Sequence, residues 1–323
     1  MSTVPSAVPA SPAAFEEAAF LFPASGASLV GIVTTPAPGP DDAVPASRVG
    51  VLIVVGGPQY RVGSHRQFVL LARALATRGH PVMRFDCSGM GDSSGPERPF
   101  TDRDGDIRAA IDAFTARVPT VTEVAIWGLC DAASAALLYA PLDPRVRHLV
   151  LLNPWVRSDA GLARTHLKHY YGSRLADPAF WRDLVRGRVG VWRAVRGFVG
   201  TVVASRARDV DGAADAGLRD VDFRTGMARG WKRFTGGVLL ICSGDDLTAR
   251  EFLDHAARGG EWDGLVDEAR VARCDLADAD HTFSRAEWRD RVATMTADWL
   301  DARAATPAAA RRRVDDVPAP LDA

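Results

Sequence analysis

Apolar residues along this chain fall into two alternating rhythms. Short runs of β-branched and other apolar residues lie at 49–55, 81–86, 121–127, 146–153, 238–243 and 268–274. Between most of them, apolar positions recur every three or four residues over a longer stretch. The short runs predict buried strands and the longer stretches predict amphipathic helices. Such alternation specifies a mostly parallel sheet with helices on both faces. Two earlier runs, 19–22 and 29–34, flank a Ser25-Gly26 turn and predict an antiparallel hairpin that enters the sheet, which brings the strands to eight. Helices are expected over 66–78, stopped by Gly79, and over 102–117, started by a Thr101/Asp102 cap. Further helices are expected over 131–139, 249–258 and 285–302.

From 155 to about 235 the alternation stops. That stretch reads as helical pieces rich in Arg and Trp, with no convincing strand, and predicts a helical cap inserted into an α/β core of 15–154 and 236–302. Residues 1–14 and 303–323 have too little apolar periodicity to fold and are expected to be disordered. No internal repeat suggests a solenoid or propeller.

Composition narrows the function classes. Lys+Arg 39 against Asp+Glu 40 leaves a formal charge of -1, so no global basic field gathers nucleic acid. Cys87, Cys130, Cys242 and Cys274 lack the paired spacing of a zinc site or a secreted disulfide framework, and are expected to be free thiols. No metal or organic cofactor is expected. The N-terminus lacks a basic segment followed by an apolar core, and no apolar run is long enough to span a membrane, so the cytoplasm is the expected location.

The segment Trp127-Gly128-Leu129-Cys130-Asp131-Ala132 sits where a buried strand turns into a helix. A nucleophile on so tight a turn needs small residues two positions to either side, and Gly128 and Ala132 meet that need. The same turn sets Cys130 at a helix N-terminus, where unpaired N–H groups favour a thiolate. A buried structural cysteine is the plain alternative, and Asp131 as a carboxylate nucleophile is another.

A thiol nucleophile needs a base, and the Asp278-Ala279-Asp280-His281-Thr282-Phe283 segment places His281 between the last strand and the last helix. The turn Ser243-Gly244-Asp245-Asp246 ends the preceding strand and offers an acid to orient the ring; Asp246 is the choice, with Asp245 exposed or capping. The chain order Cys, Asp, His is that of α/β hydrolases. Oxyanion donors are expected from the Asp131 amide and from the Gly56-Gly57-Pro58-Gln59-Tyr60 loop, where Pro58 has no N–H and the donor falls to Gly57 or Gln59. Arg61, Arg66 and Trp155 are candidate substrate contacts.

Gly56-Gly57, Asp86-Cys87-Ser88-Gly89-Met90-Gly91-Asp92-Ser93, the turn at Cys130, the acid turn and His281 together resemble the α/β-hydrolase superfamily. More narrowly, Gly56-Gly57-Pro58-Gln59-Tyr60-Arg61-Val62-Gly63-Ser64-His65-Arg66, Trp127-Gly128-Leu129-Cys130-Asp131 and Asn153-Pro154-Trp155-Val156-Arg157 look like the exosortase A system-associated hydrolase 1 family. That resemblance implies a link to bacterial exopolysaccharide and exosortase systems. Three positions depart from the superfamily pattern: Cys130 replaces the usual serine, Ala132 replaces the second glycine, and Ser88 stands where an arginine commonly follows the strand-end Asp86.

The expected enzyme is a cysteine-nucleophile hydrolase acting on an ester or thioester of a small-molecule or carrier-bound acyl substrate. An acyltransferase with the same three residues and a non-catalytic binding protein on the same fold are the rival readings. In the insertion, Arg164-Thr165-His166-Leu167-Lys168-His169-Tyr170-Tyr171 mixes cations and aromatics that would suit a sugar, an anionic carrier or a headgroup surface, though solvated cations over core aromatics are the plainer account.

Overall fold

The computed structural model describes residues 14–37, 47–157 and 221–304. Eight strands, β1 (Phe15–Ala24), β2 (Ala27–Pro36), β3 (Val49–Val54), β4 (Val82–Phe85), β5 (Glu123–Leu129), β6 (Val146–Leu152), β7 (Gly237–Ser243) and β8 (Val271–Leu276), form one sheet in the order β1-β2-β4-β3-β5-β6-β7-β8. β1 pairs antiparallel with β2, and β2 antiparallel with β4; every other pairing is parallel. Six helices are described: α1 (Gln67–Thr77), α2 (Asp104–Arg117), α3 (Asp131–Tyr139), α4 (Phe223–Arg233), α5 (Leu247–Ala256) and α6 (Ala286–Ala304).

The sequence pattern explains the layers. β3 and β7 are buried at every position, β5 and β6 at all but one, as strands covered on both faces must be. β1 is mostly exposed, so its apolar signal is thin and the hairpin extends several residues beyond the predicted 19–22 and 29–34. α2 starts at Asp104 and not at the predicted Thr101/Asp102 cap: residues Phe100–Asp102 form a 3-10 turn, and Arg103 takes the cap position without a capping side-chain bond.

The described residues up to Val156 and those from 221 onward belong to one compact unit. Residues 158–220 of the cap expected over 155–235 lie outside the described residues, and α4, expected within that cap, belongs to the sheet-bearing unit. Its Met227 and Trp231 are fully buried, and it approaches α3 so closely that a Cβ on Gly230 would lie 2.1 Å from the Leu137 carbonyl oxygen. The segment 164–171, and the ends expected to be disordered apart from Ala14, Arg303 and Ala304, lie outside the described residues. Among the described residues no helix is long and apolar enough to cross a membrane.

Asp143 anchors the passage from α3 into β6. Its buried carboxylate accepts from Tyr139 Oη (2.8 Å) and from Arg145 Nε and Nη2 (2.9 and 2.7 Å). Burial alone would raise its pKa; the Arg145 and Tyr139 bonds outweigh that and hold it below the ordinary carboxylate range. A carboxyl whose pKa is lower in the folded state contributes stability above its unfolded pKa and loses it as pH falls through the folded one. Asp143→Asn should therefore cost about 1–3 kcal/mol at neutral pH and flatten the acid limb of stability against pH, as urea denaturation at a series of pH values would measure.

Candidate active site

Parallel pairing brings the carboxyl ends of β3, β5, β6, β7 and β8 to one edge. Leu129 of β5 pairs with Leu152 of β6, Leu152 with Ile241 of β7, and Ser243 of β7 with Leu276 of β8. The segments leaving those ends carry Cys130, Asn153 to Trp155, Gly244 to Asp246, and His281. Such an edge is where parallel α/β sheets gather ligand-handling residues.

Cys130 adopts φ 62, ψ -124. A side chain resists that geometry at a cost of roughly 1–3 kcal/mol, which persists only where the surroundings impose it. The Cys130 amide donates to Leu152 O (2.9 Å), while its carbonyl accepts from Ala133 N (3.1 Å), Ser134 N and Trp155 N (both 3.3 Å). The small neighbours are steric necessities: a Cβ on Gly128 would lie 2.7 Å from the Ala132 backbone. Ala132 is itself accommodated because Gly56 opposite it has no side chain; a Cβ there would lie 3.1 Å from that of Ala132. Cys130 remains partly exposed, at the N-terminus of α3.

Of the two adjacent carboxylates, Asp246 meets the histidine. His281 Nδ1 lies 2.8 Å from Asp246 Oδ2. Asp246 also caps α5, accepting from Thr248 N (3.0 Å) and Ala249 N (3.1 Å), whereas Asp245 is exposed. Burial works to raise the Asp246 pKa, but the His281 bond and charge and the two amides hold it below the ordinary range. A proton on Nδ1 facing an anionic carboxylate leaves Nε2 as the ring's basic nitrogen. The loop under His281 is stiffened by Asp280, whose Oδ1 accepts from Thr282 N (3.1 Å) and Ser284 N (3.0 Å).

The Asp131 side chain performs a task that its motif position does not announce. Its Oδ2 accepts the Gly57 amide at 3.0 Å and lies 3.9 Å from Arg103 Nη1, which also donates to Val55 O (2.8 Å). The Gly57 N–H, one of two candidate oxyanion donors, is thus committed to Asp131. The backbone N–H of Gln59 is left as the candidate on that loop, beside the Asp131 amide, while the Gln59 side chain folds back to accept Ser64 N (3.2 Å).

The profile of the alpha/beta hydrolase family matches residues 51–294, most of the chain and all of these segments. The chain belongs to the alpha/beta hydrolase family. No curated protein sequence matches it. Its fold is similar to an esterase of Pyrococcus furiosus, at 14% identity over 93% of this chain and 95% of that one, with a TM-score of 0.60. It is also similar to an α/β serine hydrolase without lid from Xanthomonas campestris (19% identity, 90% and 97% covered, TM-score 0.52). A third similar structure is Est1E from Butyrivibrio proteoclasticus with bound ferulic acid (13% identity, 89% and 100% covered, TM-score 0.56).

The candidate substrate contacts of this α/β hydrolase separate on inspection. Arg61 is not an available cation. Its guanidinium pairs with Asp86 and, at 2.6 Å, with Asp92, and its amide donates to Asp86 Oδ1 at 2.6 Å. Burial opposes its charge, but Asp92 and Asp86 hold its proton more firmly than usual. Arg61 thereby supplies the cation for the fully buried Asp86, while Ser88 donates from N and Oγ to Asp106, both at 2.8 Å. Arg66 is exposed at the start of α1 in a left-handed conformation. Trp155 does lie beside the nucleophile candidate, its amide donating to Cys130 O.

Two measurements probe this arrangement. Arg61→Met would strand the Asp86 carboxylate and should lower unfolding stability by about 3–5 kcal/mol in urea titrations; unchanged stability with a raised KM would restore Arg61 to the substrate. The thiols should also differ. Burial pushes Cys87 and Cys242 up to about 12, and burial with Asp275 raises Cys274. Iodoacetamide near neutral pH should modify Cys130 at least about tenfold faster than the other three, read by peptide mass spectrometry, and equal slow labelling of all four would exclude an activated thiol.

Proposed function

We propose that this α/β hydrolase cleaves an ester or thioester through a covalent acyl-cysteine at Cys130. His281 Nε2 takes the Sγ proton, the thiolate attacks the acyl carbonyl, and the Asp131 amide with a donor from the 57–59 loop holds the oxyanion. The tetrahedral intermediate expels the alcohol or thiol, which receives the proton from His281. Water then attacks the acyl-thioester with His281 as base, releasing the carboxylic acid and regenerating the thiol. Asp246 holds the ring tautomer throughout. No step requires a metal or organic cofactor.

The observation that carries this reading is the 2.8 Å Asp246–His281 contact on the sheet edge where Cys130 occupies a strained strand-to-helix turn. A binding protein has no use for that strain at a cysteine. The similar esterase structures favour an oxygen ester, and a small-molecule acyl substrate suits the family. The resemblance of the 56–66, 127–131 and 153–157 strings to the exosortase A system-associated hydrolase 1 family supports a role beside bacterial exopolysaccharide synthesis, on the cytoplasmic side.

Incubation with a panel of activated esters and acyl-thioesters, followed by intact-mass measurement, should reveal one acyl adduct, absent in Cys130→Ala. His281→Ala should slow its formation about 10²–10⁴-fold. Turnover that survives in Cys130→Ala would exclude the cysteine mechanism, and an acyl product appearing on an added amine or hydroxyl acceptor in preference to water would make the enzyme a transferase.

A further inference from the structure

Between Cys130 and His281 runs a three-residue segment, Asn153-Pro154-Trp155, that is hydrogen-bonded to both. Asn153 leaves β6 at φ 44, fully buried. Both protons on its Nδ2 are used, one on Ser243 Oγ (2.7 Å) and one on the carbonyl of His281 itself (3.1 Å). Its Oδ1 accepts the Ser243 amide at 2.8 Å, and Ser243 Oγ passes its own proton to Asp280 O at 2.9 Å. One carboxamide thus fixes the end of β7 and the backbone of the histidine loop together.

At the other end, the Trp155 amide donates to Cys130 O (3.3 Å) and to Ser134 Oγ (3.0 Å), and Ser134 Oγ donates to Trp155 O (2.7 Å). The strap therefore grips the Cys130 carbonyl, at the strand-to-helix elbow, and the first turn of α3. Pro154, buried between the two attachments, removes a backbone rotation and stiffens the link.

We propose that Asn153 is a positioning residue, the fixed end of a strap that sets His281 against Cys130. This deepens the acyl-cysteine mechanism and rests on it. The chemistry demands asparagine. An aspartate would face Ser243 Oγ and the His281 carbonyl with no proton to give, and aliphatic residues would leave the Ser243 amide and two oxygens unmatched in a dry site. Few residues other than Asn and Gly tolerate the left-handed backbone there, and Gly has no carboxamide.

The test reads the rate of Cys130 alkylation by iodoacetamide across pH, which needs no substrate, alongside kcat and KM on whichever activated ester acylates the enzyme. Asn153→Gly keeps the backbone freedom and removes the carboxamide; Ser134→Ala loosens the opposite end. Each should shift the alkylation profile towards that of His281→Ala and lower kcat about fivefold or more, with KM nearly unchanged. Because both act on one link, the double variant should lose much less than the product of the two single losses. A wild-type profile and kcat in both folded single variants, with His281→Ala strongly impaired, would overturn the strap alone. If His281→Ala alkylates like wild type, the base assignment fails and the strap with it. Should Asn153→Gly not fold, a wild-type profile in Ser134→Ala suffices to overturn the strap.

Discussion

A β-carbon at φ 62 is held in place only if the chain around it leaves no alternative, and the site of this hydrolase is organised around imposing that angle on Cys130. β5 must be followed at once by α3, so the backbone turns within a residue. The Leu152 carbonyl captures the Cys130 amide from the side, three amides converge on its carbonyl, and Gly128 and Gly56 vacate the volume through which the helix must pass. Nothing in the turn is stable by itself; the neighbouring strand, the β3 loop and the segment after β6 share the restraint.

Because the restraint is shared, side chains near the turn are accommodated by partners on other segments. Ala132 in place of glycine fits because Gly56 gives way. The buried Asp86 takes its cation from Arg61, which reaches it from another loop. The candidate substrate contact Arg61 is held by Asp86 and Asp92. A charge with no evident partner in the sequence is weak grounds for a ligand, since a buried carboxylate elsewhere has first claim on it.

What could be read from residues alone follows the range of the interaction. Strands buried on both faces declare themselves through unbroken apolar runs, so the order of the core was legible, whereas the exposed β1 edge and the helix α4, whose apolar positions answer to α3, were not bounded well. Gly128 and Ala132 could be read as small neighbours because they lie two positions to either side of Cys130, although Gly56 and Leu152, distant in sequence, also shape the turn. The turn pattern favours Asp246 over Asp245, and Asp246 is the carboxylate that meets His281. The bonds that tie the site together, Arg61 to Asp86, Gly57 to Asp131, Asn153 to Ser243 and to His281, span 25, 74, 90 and 128 residues. No local pattern encodes a pairing at that distance; only the strand order brings the partners together.

Asp131 carries the longest consequence of that order. For the thiolate proposed at Cys130, an acidic side chain at the next position opposes the charge that the mechanism needs, so Asp131 calls for compensation. The buried Arg103 guanidinium and the Gly57 amide both face its carboxylate and offset its charge. The same bond pins the loop to the elbow. With Gly57 committed and Pro58 lacking a proton, the proposed mechanism takes its second oxyanion donor from the Gln59 amide, on a loop that the Gly57–Asp131 bond restrains. Fixing donors in advance makes such a site effective against an oxyanion, and in the proposed mechanism Asp131 would give one donor through its amide while its carboxylate steadies the loop that offers the other.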